Sequence, residues 1–125
     1  VVRGPDGAYY VGQLTGFPFT PGSAKVFRVR PGGQPQVVAD GFTNVIDVAF
    51  GPDGCLYVLE ISARGLTSGD PTGALIKVNH DRSRTVVAEQ GLEAPGGLTI
   101  RGHYAYVSNH GTSAGGGEVV RIPLH

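Results

Sequence analysis

The chain has 125 residues, 21 of them Gly and 9 Pro, with 40 % hydrophobic residues recurring in short blocks; this fits a turn-rich, short-stranded β protein better than a disordered chain. Ten Lys and Arg balance ten Asp and Glu, and the five Phe and five Tyr are scattered rather than interleaved with cations, so nothing points to nucleic acid or to an anionic membrane surface. The single cysteine, Cys55, excludes an internal disulfide and a CxxC site, and no apolar run approaches the ~18 residues of a membrane span.

Read along the chain, the elements repeat. After a short Val1-Val2-Arg3 strand, Gly4-Pro5-Asp6-Gly7 forms a turn, because Pro presets φ and Gly supplies φ > 0. Tyr9-Tyr10-Val11 follows, then a long loop from Gly12 to Ala24, the strand Lys25 to Val29, and the strand Gln36-Val37-Val38-Ala39-Asp40 ahead of Gly41-Phe42. The series then restarts. Val45 to Phe50 is a new first strand, Gly51-Pro52-Asp53-Gly54 repeats the turn, and Leu56-Tyr57-Val58 the second strand. A loop from Ile61 to Gly73 leads to Leu75-Ile76-Lys77-Val78 and to Thr85-Val86-Val87-Ala88-Glu89, before Gly91-Leu92. A third series starts at Gly96 to Ile100, turns at Arg101-Gly102-His103, and continues through Ala105-Tyr106-Val107, a loop from Ser108 to Gly117, and Glu118 to Ile122.

Four strands in roughly 44 to 50 residues is the spacing of a β-propeller blade. The expected fold is therefore all-β and helix-free: about three four-stranded antiparallel blades, near residues 1–44, 45–94 and 95–125, the last incomplete. A closed propeller has about four to eight blades. The expected whole is a six- or seven-bladed ring completed by further blades in the same polypeptide; three blades joining three from a second copy is the alternative. Val1 opens the chain without Met, and no signal peptide is visible.

In such a fold the second-to-third-strand loops and the connections between blades share one face. The polar residues there are Gln13, Asn44 beside Thr43, Asp47, Glu60, Glu93, Asn109 and His110. A carboxylate, an amide and an imidazole converging at a channel mouth would bind a polar small molecule or a protein partner, or a divalent metal through Asp47, Glu60 and His110. The competing reading is that they satisfy backbone groups of long, Gly-rich loops. A metal-assisted hydrolase or oxidase using the same face is the enzymatic alternative, and a scaffold with no pocket the structural one. His80, His103 and His125 are expected to face solvent. Gly111-Thr112-Ser113-Ala114-Gly115 matches a nucleophile elbow in letters only, since a strand rather than a helix follows. Gly115-Gly116-Gly117 lacks the Lys-Ser or Lys-Thr of a phosphate loop. Asp6 and Asp53 read as turn formers, and Cys55 as a small core filler.

The segments from Gly4 through Gln13 to Phe19, Gly41 to Phe50, Leu56 to Ile61, Ser68 to Ile76 and Asn109 to Val119 resemble propellers of the ScyD/ScyE family. The Gly-Pro-Asp-Gly turns alone are shared with NHL-like and gluconolactonase-like propellers. The loop-bearing face is expected to act as a binding module, and the resemblance implies an extracytoplasmic, secreted or periplasmic protein. It transfers no catalytic residue and no substrate.

Overall fold

The structure, a computed structural model, describes residues 1–124; the expectation for His125 lies outside them. Among the described residues there are eleven strands and no helix. They are β1 (Val2–Arg3), β2 (Tyr9–Gly12), β3 (Ala24–Val29), β4 (Gln36–Phe42), β5 (Val45–Phe50), β6 (Leu56–Glu60), β7 (Ala74–Val78), β8 (Arg84–Ala88), β9 (Gly97–Arg101), β10 (Tyr104–Asn109) and β11 (Glu118–Pro123). Each series folds as one meandering antiparallel sheet: β1-β2-β3-β4, β5-β6-β7-β8 and β9-β10-β11.

The turn residues do what their chemistry dictates. In each Gly-Pro-Asp-Gly turn the last Gly has positive φ (82° at Gly7, 77° at Gly54), and the Asp carboxylate accepts the N–H two residues on, from Ala8 or Cys55. The same carboxylates do more. Asp6 also accepts the Tyr10 hydroxyl at 3.0 Å and the Arg28 Nε–H at 2.7 Å; Asp53 accepts the Tyr57 hydroxyl at 3.3 Å and pairs with Lys77 at 2.9 Å. Tyr10 faces Arg28, and Tyr57 faces Lys77, directly across neighbouring strands. In the third sheet Tyr106 faces Arg121 in the same way, but the turn has shrunk to Gly102-His103 and carries no carboxylate. Arg121 there lies 4.6 Å above the Tyr104 ring.

Two apolar layers hold the three sheets together. One joins Ala24, Val26 and Phe42 of the first sheet to Val45, Val48, Leu56 and Val58 of the second. The other joins Tyr57, Leu59 and Leu75 of the second, with Cys55, to Ala105, Val107 and Leu124. Every residue of β6 is buried, because the middle sheet is covered on both sides, which is why its sequence does not alternate. Gly12 is required by this approach: a Cβ there would lie 2.5 Å from Val45 Cγ1. Cys55 fills the second layer, and its burial pushes the thiol above its ordinary range.

The Gly111–Gly115 segment is a turn, with the Ser113 N–H bonded to the His110 carbonyl, and β11 follows it. His80 and His103 are exposed.

Candidate functional site

Main-chain and side-chain bonds gather the long loops onto one rim. The Val45 N–H donates to the Gln13 carbonyl, tying the start of β5 to the loop after β2. The Thr67 hydroxyl donates to the Pro18 carbonyl, which joins the β2–β3 loop to the β6–β7 loop. The Ala94 N–H donates to the Pro71 carbonyl, and the Gly111 N–H to the Ala94 carbonyl, which brings in the β8–β9 connection and the β10–β11 loop.

The sequence-predicted site residues sit within this frame, most of them beneath its surface. Asn44 is 1 % exposed and left-handed at φ 45°, a conformation Asn tolerates. Its Nδ2 donates to the Leu14 carbonyl at 2.8 Å, and its Oδ1 accepts the Leu66 N–H at 2.9 Å, so one amide bridges two loops. Glu60 ends β6, 5 % exposed, and accepts the Thr43 N–H at 2.6 Å. Burial pushes its carboxyl up to about 7, against the opposing pull of that N–H and of the Arg84 charge. Asp47 sits at a bulge in β5; its Oδ2 accepts the Leu98 N–H of β9 at 2.8 Å, a side-chain bond between the first strands of the second and third sheets. Gln13 accepts the Lys25 N–H within its own sheet.

Glu60 and Asn109 occupy equivalent positions, three residues beyond Tyr57 and Tyr106, and do the same work. Asn109, 1 % exposed, accepts the Glu93 N–H at 2.8 Å and donates to the Gly91 carbonyl at 2.7 Å. Each therefore caps the connection leaving the preceding sheet, at Thr43 or Glu93, two residues after Gly41 or Gly91. These bonds satisfy backbone groups that would otherwise be buried without partners.

Of the predicted residues, His110, with Glu93 beside it, lines an open cleft. Its backbone is left-handed (φ 55°), and its N–H donates to the Glu93 carbonyl. The ring stands between two carboxylates, with Nε2 3.2 Å from Glu118 Oε1 and Nδ1 3.6 Å from Glu93 Oε2. Around it opens a cleft of about 660 Å³, walled by Ala63 to Arg64, Asp70 to Thr72, Glu89 to Glu93 and Glu118. Asn109 buttresses it from below, with Nδ2 3.2 Å from Glu118 Oε1.

The structure thus does not draw Gln13, Asn44, Asp47, Glu60, Asn109 and His110 into one cluster. Asp47, Glu60 and His110 are each engaged by different partners, and among the described residues no three His, Cys, Asp or Glu side chains form a group able to hold a metal ion. Glu118, Asp70, Glu89 and Arg64 are the cleft residues that sequence reasoning passes over. Glu118 was within reach of it: it lies directly across from Asn109 in the β10–β11 register, as the Tyr106–Arg121 pairing requires.

No family, no curated protein and no solved structure matches this chain.

Proposed function

We propose that the chain is a β-propeller segment of the ScyD/ScyE type, working outside the cytoplasm as a ligand-binding module, and that the His110 cleft on its loop-bearing rim is the binding site. The propeller reading is supported by the threefold repeat of the strand series and by the β5–β9 bond through Asp47, which sets the first strands of two sheets side by side. The family and the extracytoplasmic setting rest on the loop motifs quoted above.

The observation that carries the binding reading is the cleft itself: a concave space of small-molecule size into which the loops bring an imidazole held between two half-exposed carboxylates. Such a lining accepts hydrogen bonds from hydroxyl or amino groups, and suits a polar small molecule better than an apolar one. The buried polar residues around it hold the walls in place without touching a ligand.

A titration of the isotope-labelled chain with a set of small polyols and amines, followed by amide NMR, tests this. Binding should shift the amides of Gly91 to Glu93 and of His110 to Gly111 in a saturable way, and His110→Ala should weaken it at least tenfold. No saturable shift at those amides, or shifts unaffected by His110→Ala, would leave the rim without a ligand and favour a scaffold.

A further inference from the structure

The cleft around His110 has an apolar neighbour. A hollow of about 270 Å³ opens beside it on the same rim, lined by Ile61, Leu66, Pro71, Ala94 and Thr112. Asp70 and Pro71 belong to both walls, so the two spaces adjoin. The ridge between them is made of three segments joined through their backbones. Thr72 and Glu93 form an antiparallel bridge, the Ala94 N–H donates to the Pro71 carbonyl, and the His110 and Gly111 N–H groups donate to the Glu93 and Ala94 carbonyls. Thr72, Glu93 and His110 line the cleft, whereas Ala94 and Thr112, further along the same segments, line the hollow.

The two sides of the ridge differ in chemistry. Among the described residues the cleft wall sets Asp70, Glu89, Glu93 and Glu118 against Arg64, which lies 3.4 Å from Asp70. That leaves three carboxylates around one imidazole, an anionic excess that favours a cationic group. In the hollow the buried Ser62 hydroxyl is spent on the Asp70 carbonyl at 3.1 Å. Leu66, its N–H fixed on Asn44 Oδ1, stays 41 % exposed, so this side offers hydrocarbon contact. We infer that the ligand of the His110 cleft is a primary amine bearing a hydrocarbon group, with its ammonium among Glu89, Glu93 and Glu118 and its hydrocarbon chain across the Pro71–Ala94 ridge in the hollow. The inference deepens the binding reading of the cleft and rests on it. An ammonium brings three N–H donors to a wall of acceptors. Each methylene entering the hollow leaves water, which strengthens binding about fourfold when burial is complete and about twofold when it is half complete.

The test titrates the labelled chain with ethylamine, butylamine and hexylamine, and with hexanol and hexanoate, followed by amide NMR. Hexylamine should bind at least tenfold more tightly than ethylamine, and at least tenfold more tightly than the alcohol or the acid. It should shift the amides of Leu66, Ala94 and Thr112 together with those of Gly91 to Glu93, whereas ethylamine shifts the second group alone. Leu66→Asn should cut the hexylamine-to-ethylamine ratio at least threefold. Saturable shifts at Gly91 to Glu93 with equal affinity for the three amines, or a ratio unaltered by Leu66→Asn, would overturn the inference and leave the cleft reading standing. Tighter binding of hexanol or hexanoate than of hexylamine would do the same. No saturable shift at the cleft amides from any amine or polyol would remove the cleft reading, and this inference with it.

Discussion

Glu60 is the residue whose charge state the fold controls most strongly. A carboxyl raised from 4.5 to about 7 by burial is easier to keep protonated when folded than when unfolded. Its contribution to stability is therefore fully present below about pH 4.5 and is lost as pH rises through about 7, a loss of up to roughly 3 kcal/mol. Glu60→Gln keeps an oxygen for the Thr43 N–H and removes the ionisation. Urea unfolding at pH 5 and pH 8 should show the variant close to wild type at the lower pH and more stable at the higher. Asp6 works in the opposite sense: the Arg28 guanidinium, despite some desolvation, holds its carboxyl down at about 2, so its contribution is present above pH 4 and fades below. Asn44 ties two loops together through its side chain. Asn44→Ala strands the Leu66 N–H and the Leu14 carbonyl and places a Cβ-bearing residue without a polar side chain at φ 45°. A loss of roughly 2–4 kcal/mol is expected in denaturant unfolding, whereas Asn44→Gly, which tolerates the backbone angle, should recover part of it.

At the level of strands and turns, close approach sets the tolerances. The β6–β7 loop returns to the sheet at Gly73, where an added Cβ would lie 2.6 Å from the Glu60 carbonyl oxygen and 2.5 Å from Pro95 Cγ. Backbone does not yield as a flexible side chain would, so Gly73→Ala should destabilise by about 1–3 kcal/mol, read as a lower urea midpoint with an unchanged slope. Much of this level was legible in the sequence. Strand order, the Gly-Pro-Asp-Gly hairpins and the lengths of the three loops follow from turn chemistry and from the repeat, which are local signals. The observed strands differ by a residue or two: β6 runs on to Glu60 and β10 to Asn109, because those polar ends stay in the ladder while their side chains reach the preceding connection. Asp6 and Asp53 read correctly as turn formers. Their bonds to Arg28 and Lys77 were hidden because the cations, although in contact with the carboxylates in space, lie some twenty residues away in sequence.

Across the whole molecule, the residues expected to meet a ligand divide into two roles. Sequence reasoning placed Gln13, Asn44, Asp47, Glu60, Asn109 and His110 on one face by topology, and topology brings loops together without saying which way a side chain turns. Burial decides that: Asn44, Glu60 and Asn109 point into the junctions, where buried N–H groups need acceptors, and His110 is left facing the cleft. Glu89 and Asp70 carry no motif, so only the packing of separate loops reveals them, whereas Glu118 follows from its place opposite Asn109. Asp47→Ala should weaken the junction of second and third sheets, exposing the Leu98 N–H and lowering stability by roughly 1–3 kcal/mol in thermal or urea unfolding.

Polar side chains at strand ends and bulges staple each sheet to the next. Thr43, Glu93 and Leu98 report on it directly, since their amides are donated to the side chains of Glu60, Asn109 and Asp47. Native-state hydrogen exchange at these three amides should show protection comparable to the central strand β6, and Asp47→Ala should abolish it at Leu98 alone. Exchange at all three as fast as at the exposed loop residues Gly16 and Gly69 would contradict the account.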